Sequence, residues 1–254
     1  MQVQSVRRAF EVLEKMTDAD GPVTASHLSS VADLPLPDVR RLLCTLSTLG
    51  YLVLLGRSGY VLGPRLVRLG EVANEQFGAQ ARPHLKTLVD KLGESANMAV
   101  LYFDAIVYVA HVSSPHAMRT SIEVGQRAYP HATGVGKAIL AELPEDRVRT
   151  IVPRTGLAAP TQRSIRNLDD LLAEITKIRE RGYSIDEGEQ EAGVRCYAVA
   201  IPNSPTPAAI SVSGPALRIG EGFAERALPV LRAVAASISS DLHLDWQEAK
   251  VRSI

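Results

Sequence analysis

Within the first fifty positions, apolar residues recur at three- and four-residue steps in three short bursts. Helices this short hide such stripes only by packing on one another. Val3, Val6, Phe10, Leu13 and Met16 form the first burst and are expected on one face of an opening helix. Gly21-Pro22 then punctuates the chain. A second helix is expected from Thr24, a good cap residue, through Leu28 to about Ala32, with a turn at Asp33-Leu34-Pro35. The third begins at Leu36-Pro37-Asp38, where proline suits a first turn and a carboxylate faces the positive helix end. Val39, Leu42, Leu43, Leu46 and Leu49 form its expected buried stripe, and Gly50 ends it. Residues 51–55 and 60–62 are rich in strand formers, and Gly56-Arg57-Ser58-Gly59 between them signals a hairpin. Three helices and a hairpin compose a winged helix-turn-helix, although any small helical domain closed by a hairpin shares that outline.

Residues 64–81 read as a further helix, with Leu66, Leu69, Val72 and Ala73 on one side, placed to connect two domains and to offer dimer contacts. Beyond Pro83 the pattern changes. Helices are expected at 85–92, 136–143, 146–152, 168–181 and 221–242, with strands at 98–102, 106–112, 183–186, 194–201 and 208–213. A mixed sheet flanked by helices is the economical architecture, so the expected class is α+β. The expected organisation is a winged helix-turn-helix at 1–63, a linker helix at 64–82 and a second domain at 83–254.

A length of 254 residues suits two domains of ordinary size. Lys and Arg total 28, as do Asp and Glu, so no global basic field attracts nucleic acid and any such contact must be local. Residues 1–70 carry eight basic and six acidic side chains, a small excess in the direction that an N-terminal DNA reader requires. Cys44 and Cys196 lie far apart in apolar surroundings and are expected as reduced, buried thiols, which fits the cytoplasm. No apolar run approaches the roughly 18 residues of a membrane span, so no membrane partner is expected.

More specific signals lie in short strings. Ser5-Val6-Arg7-Arg8-Ala9-Phe10, then Arg41-Leu42-Leu43 with Leu46 and Leu49-Gly50-Tyr51, then Tyr60-Val61-Leu62-Gly63-Pro64-Arg65-Leu66 resemble the IclR family of bacterial regulators. His131-Ala132-Thr133-Gly134-Val135-Gly136-Lys137-Ala138, Gly182-Tyr183-Ser184-Ile185-Asp186, Gly193-Val194-Arg195-Cys196 and Ile210-Ser211-Val212-Ser213-Gly214-Pro215 resemble that family's effector-domain signatures in the same order. The resemblance covers nearly the whole chain. It implies a winged helix for double-stranded operator DNA, a linker helix used in dimerisation, a GAF-like ligand domain for a small organic metabolite, and a homodimer or homotetramer.

In a helix-turn-helix the second helix of the pair enters the major groove. Here that is the helix after Pro35, whose inward stripe leaves Arg40, Arg41, Cys44, Thr45 and Thr48 outward, with Arg57 and Ser58 at the wing tip and Arg8 on the first helix. Each arginine reads either as a contact to guanine or phosphate or as a solvated surface residue. One departure bears on docking: many family members carry a lysine and two small hydroxyl residues where this chain has Leu36, Pro37 and Asp38. A carboxylate at Asp38 repels phosphate unless it caps the helix or pairs with Arg41.

Glycines at the start of the helix after His131 let a ligand carboxylate approach backbone amides, which marks Gly134 and Val135. Asp186 and Cys196 match family positions associated with the effector pocket. Ser211 and Ser213, two apart on a strand, share a face, and Met118 and Ile122 are candidates for an apolar wall. Plainer readings stand beside these: Cys196 as core, the serines satisfying backbone groups, Asp186 capping or pairing with Arg195.

Enzyme and cofactor motifs fail on their spacing. Gly134-Val135-Gly136-Lys137 lacks the first glycine and the hydroxyl residue of a phosphate loop, and neither a GxSxG nor an HExxH motif occurs. His111, His116, His131 and Cys196 have no diagnostic metal spacing. The expectation is a non-enzymatic regulator without cofactor. The alternative, motivated by Leu36-Pro37-Asp38, is a metabolite-binding module or enzyme without specific DNA recognition.

Overall fold

The computed structural model describes residues 3–252 except 18, 20, 75–77, 103 and 221, with backbone alone at 74 and 242–252. The chain divides into two compact units, Met1–Ala73 and Asn74–Ile254.

The first unit runs α1 (Gln4–Thr17), α2 (Ala25–Val31), α3 (Leu36–Thr48), β1 (Leu52–Leu54), β2 (Tyr60–Leu62) and α4 (Arg65–Asn74). Thr24 caps α2 as expected, its hydroxyl accepting from the His27 amide at 3.2 Å. Asp33 turns the chain into α3 with φ +50°, a left-handed conformation that aspartate tolerates better than most residues. β1 and β2 pair antiparallel as the wing, and Val23 bridges to Tyr60 beside them. Val12, Leu13, Met16, Leu28, Val39, Leu43, Leu46 and Leu52 form the core.

Three expectations here need correction. Val3, Val6 and Phe10 are exposed, because α1 turns Ala9, Val12, Leu13 and Met16 inward. Spacings of three and four fit both of these neighbouring stripes, so spacing alone does not choose between them. Leu49 is exposed because it is the C-cap of α3, where the chain leaves the helix before Gly50 at φ +79°. Cys44 is an exposed free thiol, since it lies on the outer face of α3, opposite the Val39, Leu43 and Leu46 stripe.

The second unit runs α5 (Ala81–Leu92), β3 (Ser95–Tyr102), β4 (Ala105–Val112), β5 (Arg127–Ala128), α6 (Gly134–Glu142), α7 (Glu145–Thr155), α8 (Leu168–Arg181), β6 (Ser184–Asp186), β7 (Val194–Ala200), β8 (Ala208–Pro215) and α9 (Phe223–Arg252). Of the helix expected at 64–81, residues 65–74 are helical and 75–77 lie outside the described residues. The expected start of the last helix, Glu221, lies outside them too.

One six-stranded sheet, ordered β5-β4-β3-β8-β7-β6, organises this unit. Two three-strand meanders are joined where their first and last strands, β3 and β8, pair. The sheet flanked by helices is as expected, but every neighbouring pair in it is antiparallel, where a mixed sheet was expected. Its central strands are nonetheless buried on both faces. One face packs on α5 and α9 through Leu85, Leu88, Leu231 and Ile238, and the other on α6, α7 and α8 through Ile139, Val148 and Ile175.

Gly63 fixes how the wing returns to α3. A methyl group there would lie 2.4 Å from the Gly50 carbonyl oxygen and 2.7 Å from the Tyr51 carbonyl carbon, both backbone atoms that cannot swing aside. Gly63→Ala is therefore expected to destabilise the first unit by about 1–3 kcal/mol. Urea unfolding of the intact chain checks this, and wild-type stability would contradict it.

Candidate functional site

Two surfaces gather the chemistry, one in each unit. On the first, α3 turns Arg40, Arg41, Cys44, Thr45 and Thr48 to solvent while Val39, Leu43 and Leu46 hold it to the core. Thr45 and Thr48 donate their hydroxyl protons back to the carbonyls of Arg41 and Cys44, each at 2.9 Å, leaving oxygen lone pairs outward. Arg57 and Ser58 are exposed in the wing turn, which closes through the Ser58 amide to Leu55 O at 2.9 Å. Arg65 donates to Leu49 O at 2.8 Å and stacks over Tyr51, a cation at the negative end of α3.

Asp38 pairs with Arg41 and also with Arg8. Its Oδ1 accepts from Arg41 Nη2 at 2.7 Å and its Oδ2 from Arg8 Nη1 at 3.2 Å. Arg8 and Arg41, marked separately in the sequence, are thus brought together on one carboxylate.

The second surface is the α6-facing side of the sheet. Directly opposed residues of an antiparallel pair share a face. Here Asp186 opposes Cys196, Cys196 opposes Ser213, and Ser211 opposes both Ala198 and Asn97. Asp186, Cys196, Ser211 and Ser213 therefore meet at one end of the sheet, all buried. Asn97 Nδ2 donates to Ser211 Oγ at 3.3 Å and to Ser213 Oγ at 3.1 Å, while His111 Nδ1 meets Asn97 Oδ1 at 2.7 Å. The hydroxyls of Thr120 and Ser213 are 3.0 Å apart, which draws the 118–122 loop onto this end. In that loop Ile122 packs partly on the core, whereas the Met118 side chain is 71% exposed and only its carbonyl is engaged, by Arg218 at 2.8 Å.

α6 enters from above. Thr133 caps it by accepting from the Gly136 amide at 3.1 Å, and Gly134 and Val135 occupy its first turn, where amides have no acceptor within the helix. A methyl group on Gly134 would approach Cys196 Sγ to 2.9 Å, so glycine is what lets the helix end reach β7. The Val135 side chain belongs to the core.

Burial dominates the electrostatics. It pushes the Cys196 thiol up to about 12, aided by nearby Asp186, so the thiol stays protonated. Burial also raises the Asp186 carboxyl, opposed by the amides of Glu189, Gln190 and Gly188 and by Lys137. Asp186 Oδ1 accepts from the Gly188 amide at 3.0 Å and the Glu189 amide at 2.6 Å. It therefore caps its own turn, while Arg195 pairs with Glu187.

The sequence reading passed over Asn97, Thr120, Lys137 and Glu189. Lys137 is 1% exposed and forms a buried ion pair with Glu189. A lysine four residues into an apolar helix carries no sequence sign of its partner 52 positions away. Burial lowers the pKa of His131, and as a neutral ring it donates from Nε2 to Ala158 O at 2.7 Å. Among the described residues, His131 Nδ1 and Glu189 Oε2 are buried without a hydrogen-bond partner. No group of three or more His, Cys, Asp or Glu side chains among the described residues is placed to hold a metal ion.

A cavity of about 240 Å³ opens elsewhere, at the edge of β7 between α6, α8 and α9, and none of the expected effector residues lines it. Its two arginines are turned to carbonyl groups, Arg179 to Ala141 O and Leu143 O and Arg232 to Arg181 O. The convergent donors and acceptors lie at the other end of α6.

For a carboxyl raised by burial, the folded state is favoured only while the group is protonated. That stability is complete below the ordinary value of 3.8 and is lost as pH rises through the higher folded-state value. Asp186→Asn keeps an acceptor oxygen and removes the charge. Its stability relative to wild type is expected to rise with pH above 3.8 and then level off; a difference that does not change with pH would contradict this.

Comparison with known proteins adds independent findings. Residues 5–55 match the IclR helix-turn-helix domain and residues 71–240 the bacterial transcriptional regulator IclR C-terminal domain. The transcriptional repressor IclR of Escherichia coli K12 is 35% identical over 226 residues, covering 86% of this chain and 82% of that protein. A solved structure of a transcriptional regulator from Rhodococcus sp. RHA1 is 32% identical with a TM-score of 0.76, covering 96% of this chain and 99% of that one. The IclR transcriptional regulator of Alicyclobacillus acidocaldarius aligns at a TM-score of 0.82 and 26% identity, over 95% and 100% of the two chains.

Proposed function

This chain belongs to the IclR family of bacterial transcriptional regulators, and from that premise we propose how its residues divide the work. The protein is a sequence-specific DNA-binding regulator whose operator affinity is modulated by a small molecule bound in the C-terminal domain. We assign residues 1–63 to operator recognition, 64–82 to the linker and 83–254 to the effector domain. α3 is the recognition helix, with Arg40, Arg41 and Thr45 directed at the major groove, Arg57 and Ser58 of the wing at the backbone, and Arg8 beside Arg41. The observation that carries this assignment is the outer face of α3, where two arginines and two hydroxyls are exposed on a helix held to its core by three buried side chains.

The effector site is the polar end of the sheet beneath α6: Gly134, Val135, Asp186, Cys196, Ser211 and Ser213, closed by the loop that carries Met118 and Ile122. A neutral thiol, hydroxyls, first-turn amides and a carboxyl drawn toward protonation suit a small oxygenated metabolite better than a bulky apolar one. Burial raises the Asp186 carboxyl, which lessens the repulsion that an anionic effector meets there. The effector acts through its different affinity for two forms of an oligomer that fit operator half-sites differently. The protein works in the cytoplasm, without catalysis of its own.

The oligomer is a homodimer or homotetramer. Supporting it, Val67, Leu69 and Val72 of α4 and Val3, Val6 and Phe10 of α1 are exposed apolar side chains within one small unit. Sedimentation of the intact chain as a monomer alone would refute this.

The recognition assignment is tested by a salt-controlled titration against DNA upstream of the protein's own coding region, with unrelated DNA as competitor. Arg41→Ala is expected to weaken specific binding by about 1–3 kcal/mol, and Asp186→Ala to leave binding intact while altering the response to effector. Wild-type affinity in Arg41→Ala would remove α3 from the groove. Equal retention of both DNAs across several candidate operators would favour a ligand-binding module.

A further inference from the structure

Asp38 is the acidic residue in the first turn of the helix that the preceding section places in the major groove. A carboxylate there opposes phosphate, yet its two oxygens are divided between two arginines from different helices, Arg41 on α3 and Arg8 on α1. The three groups differ in exposure. Arg41 is 82% exposed, whereas Arg8 and Asp38 are both more than two-thirds buried. The inner guanidinium and the carboxylate thus form a fixed base, and the outer guanidinium stands on it.

We propose that Asp38 is a positioning residue for sequence discrimination: it holds the Arg41 guanidinium for a base edge and keeps both arginines from grasping phosphate indiscriminately. This inference rests on reading α3 as the recognition helix. A guanidinium has five N–H donors in one plane, and those not engaged by Asp38 remain free to meet the paired acceptors of a guanine in the major groove. An unrestrained arginine reaches whichever phosphate oxygen lies nearest, and such a contact carries no sequence information. Arg8, braced by the same carboxylate, screens the charge of Asp38 from the DNA. The three groups together leave one net positive charge, so the surface still attracts the duplex.

A purely electrostatic role for Asp38 predicts something different. Deleting a carboxylate that merely repels DNA tightens binding to every sequence alike and leaves the ratio of specific to non-specific affinity unchanged. Deleting a brace lowers that ratio.

The intact protein first selects a duplex from a random-sequence library. Wild type, Asp38→Ala, Asp38→Asn, Arg41→Ala and the Asp38→Ala/Arg41→Ala double variant are then titrated at fixed salt against that duplex and against poly(dA-dT), which has no guanine edge. Asp38→Ala is expected to lower the affinity ratio about tenfold or more, through tighter binding to poly(dA-dT) and weaker binding to the selected duplex. In the double variant the ratio is expected to fall no further than in Arg41→Ala alone, the non-additivity of two residues acting as one. Asp38→Asn, which keeps an acceptor oxygen, is expected to fall between, and it serves in its place if Asp38→Ala unfolds. An unchanged ratio with both affinities raised, or losses that add in the double variant, would overturn the proposal. Selection that enriches no sequence would overturn the operator reading itself, and this inference with it.

Discussion

Helices cover the six-stranded sheet on both faces, and much of the rest of the second unit follows from that constraint. Water reaches neither face freely, so each polar side chain on the sheet must find its partner within the protein. Along most of the α6 side the strands meet the constraint by avoiding polarity, with Ala99, Leu101, Ala198 and Ala209 packed under Ile139 and Ile175. At one end they meet it by reciprocal bonding. Asn97 spans two strands to reach Ser211 and Ser213, and it is itself held by His111. That polar end is the part of the face to which we assign the effector, because there the groups of a small oxygenated ligand can replace partners already in place.

The first unit obeys a weaker constraint and is correspondingly economical. Its core is small, and α4 from 65 to 73 has Leu66 alone half-buried, the other positions being exposed. α3 is anchored at its C-terminal end by Arg65 on Leu49 O and at its N-terminal end by Arg8 on Asp38. A helix tied at both ends by charge-assisted bonds presents its outer face at a fixed height, which base reading requires and which a few buried leucines alone do not impose.

Element order was legible in the sequence because punctuation and periodicity are local. α8 begins and ends where its cap and glycine place it, with Asn167 accepting from the Asp170 amide and Gly182 in the left-handed region. Orientation about an axis was less legible. Phe10 and Val12 compete for the same inward direction on α1, and what decides between them is the position of α2 and α3, which no local pattern contains. Strand pairing was not legible for a similar reason, since the order of helices and strands does not by itself fix which strands neighbour one another or in which direction. At the polar end, Asp186 and Cys196 were reached through motif resemblance and Ser211 and Ser213 through their spacing on a strand, and the register of β6, β7 and β8 brings the four together. Asn97 lies in a strand without punctuation and Lys137 just past a helix start whose signals concern its glycines, and the importance of both arises from partners distant in sequence.

Lys137 poses the sharper question. Replacing a buried ion pair by well-packed apolar residues is often neutral or stabilising, so the burial of Lys137 and Glu189 is not by itself explained by stability. Their geometry suggests what else they do. Glu189 follows the turn capped by Asp186, and its carbonyl accepts from Ser164 at 2.6 Å and from Thr161 at 3.2 Å. The ion pair therefore ties three segments, α6, the turn after β6 and the loop before α8, around the acid and the helix end assigned to the effector. Glu189 also keeps one oxygen unpartnered, and His131 one ring nitrogen, in the same charged neighbourhood. Apolar residues of equal volume would hold these segments through dispersion, which is indifferent to a carboxylate arriving nearby. An ion pair with spare acceptors is not, since any change in charge at Asp186 alters the field on Lys137 and Glu189 directly.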